Sequence, residues 1–105
     1  MRQDPVLRVL GRQLLRSGTS IGANVEEAQA GQSQADFINK YSVSLKEARE
    51  TIYWLRLLDA SRAGANGKCK SLRQEANEIA LIIGSIIVNT RKKFLQNSNR
   101  SPRTR

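Results

Sequence analysis

The chain has 105 residues and a formal net charge of +9, and it contains no histidine. This length accommodates one domain with one hydrophobic core. The missing histidine removes the usual general base and the usual nitrogen ligand for metals, which argues against an enzyme and against a metal site. Six of the nine net charges lie in residues 91–105, which have no acidic residue. Attraction to polyanions is therefore expected to begin at the C-terminal end.

The cysteine content and the hydrophobic runs bear on the cellular location. Cys69 is the only cysteine, so an intrachain disulfide is excluded, as is usual in a reducing compartment. We expect no secretory leader, because no charged and then apolar stretch ends in a small-residue cleavage site. The longest apolar run, residues 79–88, is shorter than the ~20 residues that cross a bilayer. We therefore expect a cytoplasmic protein without membrane association, catalytic residues or cofactor.

A first helix is predicted over about residues 5–30, because apolar residues recur there at spacings of three and four. Pro5 suits its first turn. Residues 17–23 are poor in helix formers, and each interior glycine costs about 1 kcal/mol relative to alanine. We expect these small residues to admit a second helix at close range. Gly31 is predicted to end the helix and Ser33 to cap the next.

Two further helices are predicted, over about residues 34–60 and 71–95, with a loop between them. The last helix is apolar on nearly every side for two turns, which indicates burial within the domain and in a subunit interface. Residues 96–105 contain no apolar side chain and are predicted to form a disordered basic tail. No strand pattern is present, so the fold class is all-α, an up-down antiparallel helical bundle over residues 1–95.

Two segments, RSGTSIGANVEEAQ and DFINKYSVSLKEARETIYWLRLL, carry a resemblance to a known family. They resemble the bacterial four-helix bundle proteins known as 23S rRNA-intervening-sequence proteins, and the likeness covers about residues 7–95. The residues that match the family pattern are Arg16, Ser20, Ile21, Asn24, Glu27, Asp36 and Phe37.

The resemblance implies a bundle that assembles into a ring-like homo-oligomer, typically a pentamer, of largely unknown role. Some family members are encoded inside insertions of the large-subunit ribosomal RNA gene. A distant relative is the accessory protein of diversity-generating retroelements, which binds nucleic acid and a reverse transcriptase. Family members usually carry one more amphipathic helix before the segment equivalent to residues 7–15, so only three long helices are expected here.

A polar seam is predicted along one side of the first helix, where Arg16, Ser20, Asn24 and Glu27 fall at i, i+4, i+8 and i+11. It is either a polar binding groove or, as we favour, a structural seam that fixes the helix register. In the structural interpretation Arg16 and Glu27 pair with groups such as Lys46, Glu47 or Glu50.

Two further sets of residues are candidates for binding. The cations near the C-terminus either neutralise phosphates or form a solvated tail whose charges favour the helix end. The aromatic and apolar set either forms an interface or, for its aromatic members, stacks on bases. The nucleic-acid candidates are Arg91, Lys92, Lys93, Arg100, Arg103 and Arg105; the interface candidates are Tyr53, Trp54, Leu57, Ile82 and Ile87.

These features predict a non-enzymatic oligomeric protein that binds nucleic acid, with RNA favoured, through basic charge. The alternative is a protein–protein scaffold or an accessory factor for a polymerase or an operon neighbour. Residues 64–68, GANGK, faintly resemble a phosphate-binding loop, but the spacing is wrong and no strand precedes them. We interpret them as an interhelical turn.

Overall fold

The computed structural model describes residues 4–31, 33–61 and 68–100, and side chains up to residue 97. Three helices account for nearly all of these residues: α1 Pro5–Gln29, α2 Gln34–Asp59 and α3 Lys68–Arg100. No strand occurs among them, so the all-α prediction is confirmed. The interhelical turn was predicted over residues 64–68; residues 64–67 lie outside the described part of the chain, and Lys68 is the first residue of α3.

Side chains cap the N-termini of α1 and α2. Asp4 precedes Pro5 and its Oδ1 accepts a hydrogen bond from the Val6 N–H at 2.9 Å. Ser33 caps α2 as predicted, since its hydroxyl oxygen accepts from the Asp36 N–H at 3.1 Å. Each cap satisfies one of the N–H groups that the first helical turn leaves without a partner.

α3 is longer than predicted at both ends. It begins at Lys68 rather than near residue 71, and it continues to Arg100. Residues 96–100, predicted to belong to a disordered tail, are therefore helical. No glycine or proline interrupts the chain between Gly84 and Pro102, and each added helical residue gains a backbone hydrogen bond. Residues 101–105 lie outside the described part of the chain.

α2 is the central helix and makes the principal contacts with both α1 and α3. A core closes where the second half of α1, the first half of α2 and the second half of α3 meet. It consists of Ala28, Tyr41, Ile83 and Ile87, each at most 6% exposed. The Tyr41 ring stacks on Phe37 with centroids 4.5 Å apart. This end of the molecule is a well-packed three-helix core.

The opposite end remains open between α1 and α3. A groove of about 330 Å³ runs there, with Leu14 and Leu15 on one side and Leu72 and Ile79 on the other. Leu72 and Ile79 are 50% and 41% exposed, although they fall at helical spacing with the buried Ala76 and Ile83. Their exposure follows from the arrangement, because α1 and α3 each pack on α2 more than on one another.

Small side chains set the distance between α1 and α2. Ser17, Ser44 and Ala48 are 0% exposed. The expected close approach over residues 17–23 thus involves Ser17, but not the neighbouring glycines. A Cβ added at Gly18 or Gly22 would meet no atom within 4 Å, so these glycines do not serve the contact with α2.

Enlarging Ala48 should destabilise the fold. Because Ala48 on the central helix has no exposed surface, the added volume of Ala48→Leu forces its packed neighbours apart, at a cost of about 1–3 kcal/mol. Ala23→Leu makes the same change on an exposed position of α1 and should stay within about 0.5 kcal/mol of the parent. Urea unfolding followed by circular dichroism measures both. Equal stabilities for the two variants would contradict this packing.

Candidate nucleic-acid interface and polar seam

Arg91, Lys92 and Lys93 are all exposed on α3. Because successive helical residues are rotated by about 100°, the three cations project to different sides of the helix. Arg91 lines a groove of about 490 Å³ together with Phe94 and Leu95. Within the described residues none of the three forms an ion pair. They therefore present unneutralised charge in several directions.

The other three predicted cations are placed only in part. Arg100 is the last residue of α3, and its side chain is not described. Arg103 and Arg105 lie outside the described residues. The interaction of cations with a helix C-terminus fades within the last turn. Arg91, Lys92 and Lys93 lie more than one turn before Arg100, so stabilising the helix end does not explain them.

The polar seam contains ion pairs but does not form a single site. Arg16 contacts Glu50 at 2.6 Å and Glu47 at 3.3 Å, linking α1 to α2 as the sequence suggested. Glu27 pairs with Lys40 at 2.6 Å, not with Lys46. Since Arg16 and Glu27 are eleven residues apart, about 16 Å separates them along the helix axis.

The two middle members of the seam act within α1. The Asn24 Nδ2 donates to the carbonyl of Ser20 at 2.9 Å, an i−4 contact inside one helix. The seam residues thus do not converge on a common cavity. The ion pairs of Arg16 and Glu27 join α1 to α2, and the hydrogen bond of Asn24 lies within α1. This geometry favours the structural interpretation over a polar binding groove.

The Arg16–Glu50 pair perturbs both ionisations. The hydrogen bond from Arg16 holds the pKa of Glu50 below its ordinary value, and the same bond raises the pKa of Arg16. Both side chains remain partly exposed, at 46% for Arg16 and 35% for Glu50. Solvent therefore screens this pair, and its contribution to stability is expected to be modest.

Three buried hydroxyl groups form the contact that the sequence reading missed. The Thr51 hydroxyl lies 2.9 Å from the Ser17 Oγ and 2.8 Å from the Glu47 carbonyl oxygen, and its single proton serves one of them at a time. The Ser44 hydroxyl donates to the Ile21 carbonyl at 2.9 Å. All three hydroxyls are buried. The spacing of the sequence could have revealed this contact. The buried residues of α2 recur every three or four positions and so lie on one face of the helix: residues 41, 44, 48, 51, 55 and 58.

The predicted interface residues separate into two groups. Tyr53 and Ile82 are 50% and 59% exposed, and Trp54 and Leu57 are half-buried. Ile87 is only 5% exposed and belongs to the core. It is therefore not available to an interface, because α3 turns this side toward α1 and α2. Tyr53 and Trp54 pack edge to face at 5.0 Å.

Metal ligation and membrane insertion find no support in the geometry of the described residues. No group of three or more His, Cys, Asp or Glu side chains could hold a metal ion within that part of the chain. None of the three described helices has the length and apolarity needed to cross a bilayer.

Comparison with known proteins decides the family. The model of the family described as 23S rRNA-intervening sequence protein matches residues 4–85, a stretch that contains α1, α2 and the first half of α3. The chain belongs to this family. The buried hydroxyls and the Arg16 ion pairs lie inside the matched stretch, whereas Arg91, Lys92 and Lys93 lie beyond it.

A solved structure of the S23 ribosomal protein family supports the assignment. It is a protein of unknown function from Bacteroides thetaiotaomicron, 49% identical to this chain, with a TM-score of 0.73. The similarity covers 75% of this chain and 73% of the Bacteroides protein. No curated protein matches the chain. The family and the helical fold are thus shown, and the relative's function is itself unknown.

Removing the Thr51 hydroxyl should weaken the α1–α2 contact. Thr51→Val keeps the shape but leaves Ser17 without its cross-helix partner, at a cost of about 1 kcal/mol. Ser17→Ala and the double variant complete a mutant cycle. Because the two side chains touch, the double variant should lose less than the sum of the single losses. Strictly additive losses in urea unfolding would show that this contact is not stabilising.

The Arg16–Glu50 pair should make stability depend on pH in a defined window. Because folding lowers the pKa of Glu50, the contribution is present above the unfolded pKa of about 4.3 and is lost as the pH falls through the lower folded value. Arg16→Gln should therefore be less stable than the parent at pH 7, with the gap narrowing toward pH 3. Denaturant titrations at both pH values measure it; a gap that does not change contradicts the assignment.

Proposed function

We propose that this protein is a non-enzymatic, self-associating helical protein that binds nucleic acid, preferentially RNA, through the cations near the end of α3. The observation that carries the proposal is the exposure of Arg91, Lys92 and Lys93 without ion-pair partners among the described residues. From residue 91 onward the sequence contains six basic residues and no acidic one. Such unopposed charge attracts phosphates from several directions.

The expected recognition is of phosphate and shape rather than of base sequence. Three cations projecting to different sides of one helix match a surrounding backbone better than a row of base edges. No element of the described chain carries a sequence-reading motif. The preference for RNA is supported by the family description, which refers to the intervening sequence of 23S rRNA. Affinity of this kind falls steeply with salt.

Fluorescence anisotropy with a structured RNA and a sequence-matched DNA duplex tests the proposal, at low and at physiological salt. The binding variant replaces Arg91, Lys92 and Lys93 by glutamine. It should bind RNA about tenfold or more weakly, and the slope of log K against log salt should fall by about 2 to 3.

A matched control keeps the total charge equal. Replacing Arg8, Arg12 and Lys70 by glutamine also removes three exposed cations, but at the other end of the molecule. It should retain most of the affinity and the salt slope. If both variants lost the same RNA affinity, the binding would depend on the net charge of the protein and not on the cations of α3. If the parent protein bound neither RNA nor DNA, the proposal would be rejected.

A protein scaffold is the second candidate, and the exposed aliphatic side chains of α3 favour it. Leu81, Ile82 and Leu95 are 72%, 59% and 62% exposed. Exposed apolar surface of this kind is typical of a site that binds another protein, and binding to phosphates does not need it. Co-purification of a second polypeptide that survives nuclease and high salt would support this function. Recovery of the protein's own subunits alone would count against it.

A further inference from the structure

The side of α2 opposite its buried face carries polar and aromatic residues. The buried face includes Tyr41, Ala48 and Leu55. At about 100° per residue, Tyr53 lies almost directly opposite the centre of this face. Five further residues share its side, because their spacings of three and four align them along the helix. We call the set the outer stripe of α2: Asn39, Ser42, Lys46, Arg49, Tyr53 and Arg56.

The cations of the outer stripe are not neutralised within the domain. Lys46, Arg49 and Arg56 are exposed, and none of them forms an ion pair among the described residues. The acidic residues between them in the sequence, Glu47 and Glu50, are turned to the side and bind a cation of α1. The stripe itself contains no acidic residue. It therefore presents positive charge to a polyanion.

An aromatic ring lies among these cations. Tyr53 follows Arg49 by four residues and precedes Arg56 by three, and it is 50% exposed. Its ring packs edge to face against the half-buried Trp54, with centroids 5.0 Å apart. This contact holds the Tyr53 ring in place. A fixed, exposed ring flanked by cations is the arrangement on which an unpaired base stacks while its phosphates bind the cations.

The outer stripe adjoins the cations of α3 near the start of α2. Asn39 and Ser42 line the 490 Å³ groove together with Arg91 and Phe94. Phe94 is 46% exposed, so a second aromatic side chain lies beside a cation. No aspartate or glutamate lines this groove or the 560 Å³ groove that contains Arg49. Aromatic rings and unpaired cations thus occur on both helices of the same surface.

The length and chemistry of the outer stripe favour a single strand. At 1.5 Å per residue, Asn39 and Arg56 lie about 25 Å apart along the helix axis. At 3.4 Å per stacked nucleotide, this distance corresponds to about seven nucleotides of one strand. A duplex keeps its bases paired, so it would meet the cations but not the Tyr53 ring. An acidic polypeptide would also meet the cations, but it offers no base to stack on the ring.

We propose that the outer stripe of α2 binds a single-stranded stretch of RNA, with a base stacked on Tyr53 and phosphates bound by Lys46, Arg49 and Arg56. This inference rests on the nucleic-acid binding included in the proposed function. It adds a second surface, on a different helix, and a contact to a base. Stacking accepts any base, so the contact selects unpaired nucleotides without reading their sequence.

Tyr53→Leu tests the base contact. Fluorescence anisotropy with a labelled oligouridine of about 12 nucleotides, longer than the stripe, measures affinity over a range of salt concentrations. Tyr53→Leu should bind about fivefold or more weakly than the parent, because the stacked base loses its partner. The dependence on salt should not change, since no charge is removed. Tyr53→Phe keeps the ring and should bind like the parent. A fully paired RNA duplex should not distinguish Tyr53→Leu from the parent.

A charge variant of α2 tests the phosphate contacts. It carries Lys46→Gln, Arg49→Gln and Arg56→Gln, and Arg91 is left in place. The slope of log K against log salt for oligouridine should fall by about 2, as expected when three phosphate contacts to a single strand are lost. The control variant that replaces Arg8, Arg12 and Lys70 by glutamine removes the same charge and should retain the slope of the parent.

Trp54 provides a spectroscopic signal for the same contact. It is the only tryptophan of the chain, and its ring packs against Tyr53. Oligouridine should therefore change the Trp54 fluorescence of the parent and of Tyr53→Phe, and leave that of Tyr53→Leu nearly unchanged. Circular dichroism must show parent-like helicity for every variant that is interpreted.

The outcomes separate this surface from the cations of α3. Parent-like oligouridine binding by folded Tyr53→Leu, or a parent-like salt slope in the folded α2 charge variant, overturns the inference. If only the variant at residues 91–93 binds more weakly, the proposed function stands without this surface. If only the α2 variants bind more weakly, this surface stands and the proposed site on α3 does not. A parent that binds no RNA overturns both. If the α2 charge variant loses a co-purifying polypeptide but keeps RNA binding, the stripe binds a protein and the inference is overturned.

Discussion

Ser17 and Ser44 have no exposed surface, and the distance between α1 and α2 depends on their small size. Larger side chains would separate the helices and break the hydroxyl contacts of Ser17 with Thr51 and of Ser44 with the Ile21 carbonyl. The ion pairs from Arg16 to Glu47 and Glu50 span the same contact from outside. α2 also holds α3, through separate contacts of its own. The groove that α1 forms with α2 and α3 inherits its shape from this packing.

Most acidic residues of α2 form ion pairs with the neighbouring helices α1 and α3. Glu47 and Glu50 bind Arg16 of α1, and Asp59 binds Arg73 of α3. Arg49, Arg56 and Arg91 have no such partners among the described residues, and they lie on α2 and α3. Their charge stays exposed to solvent instead of being neutralised by an ion pair within the described part of the chain.

Helical periodicity and capping chemistry made the fold predictable to within a few residues for α1 and α2. The ends of α3 were less predictable, because nothing local marks Lys68 as a start, and a polar sequence such as residues 96–100 is compatible with both helix and coil. Exposure on α3 was not predictable either. Leu72 and Ile87 lie in the same apolar segment, yet one borders an open groove and the other is buried. Only the position of α1 relative to α3, a tertiary property, distinguishes them. Similarly, Ser17 and Thr51 are polar residues within the apolar pattern of their helices, and only the packing of α1 on α2 shows that their hydroxyls contact each other.

The difference between the two ends of the molecule has a consequence for its motions. Around Tyr41, Ile83 and Ile87 all three helices contribute to one core, whereas toward Leu14 and Leu72 they do not close over α2. Backbone amides near the closed end can exchange with solvent only when that core opens. Those near the open end are released by smaller fluctuations, which cost less free energy. Local unfolding should therefore start at the open end and spread along α3. A molecule bound at that end would slow local unfolding, and with it amide exchange, throughout the domain.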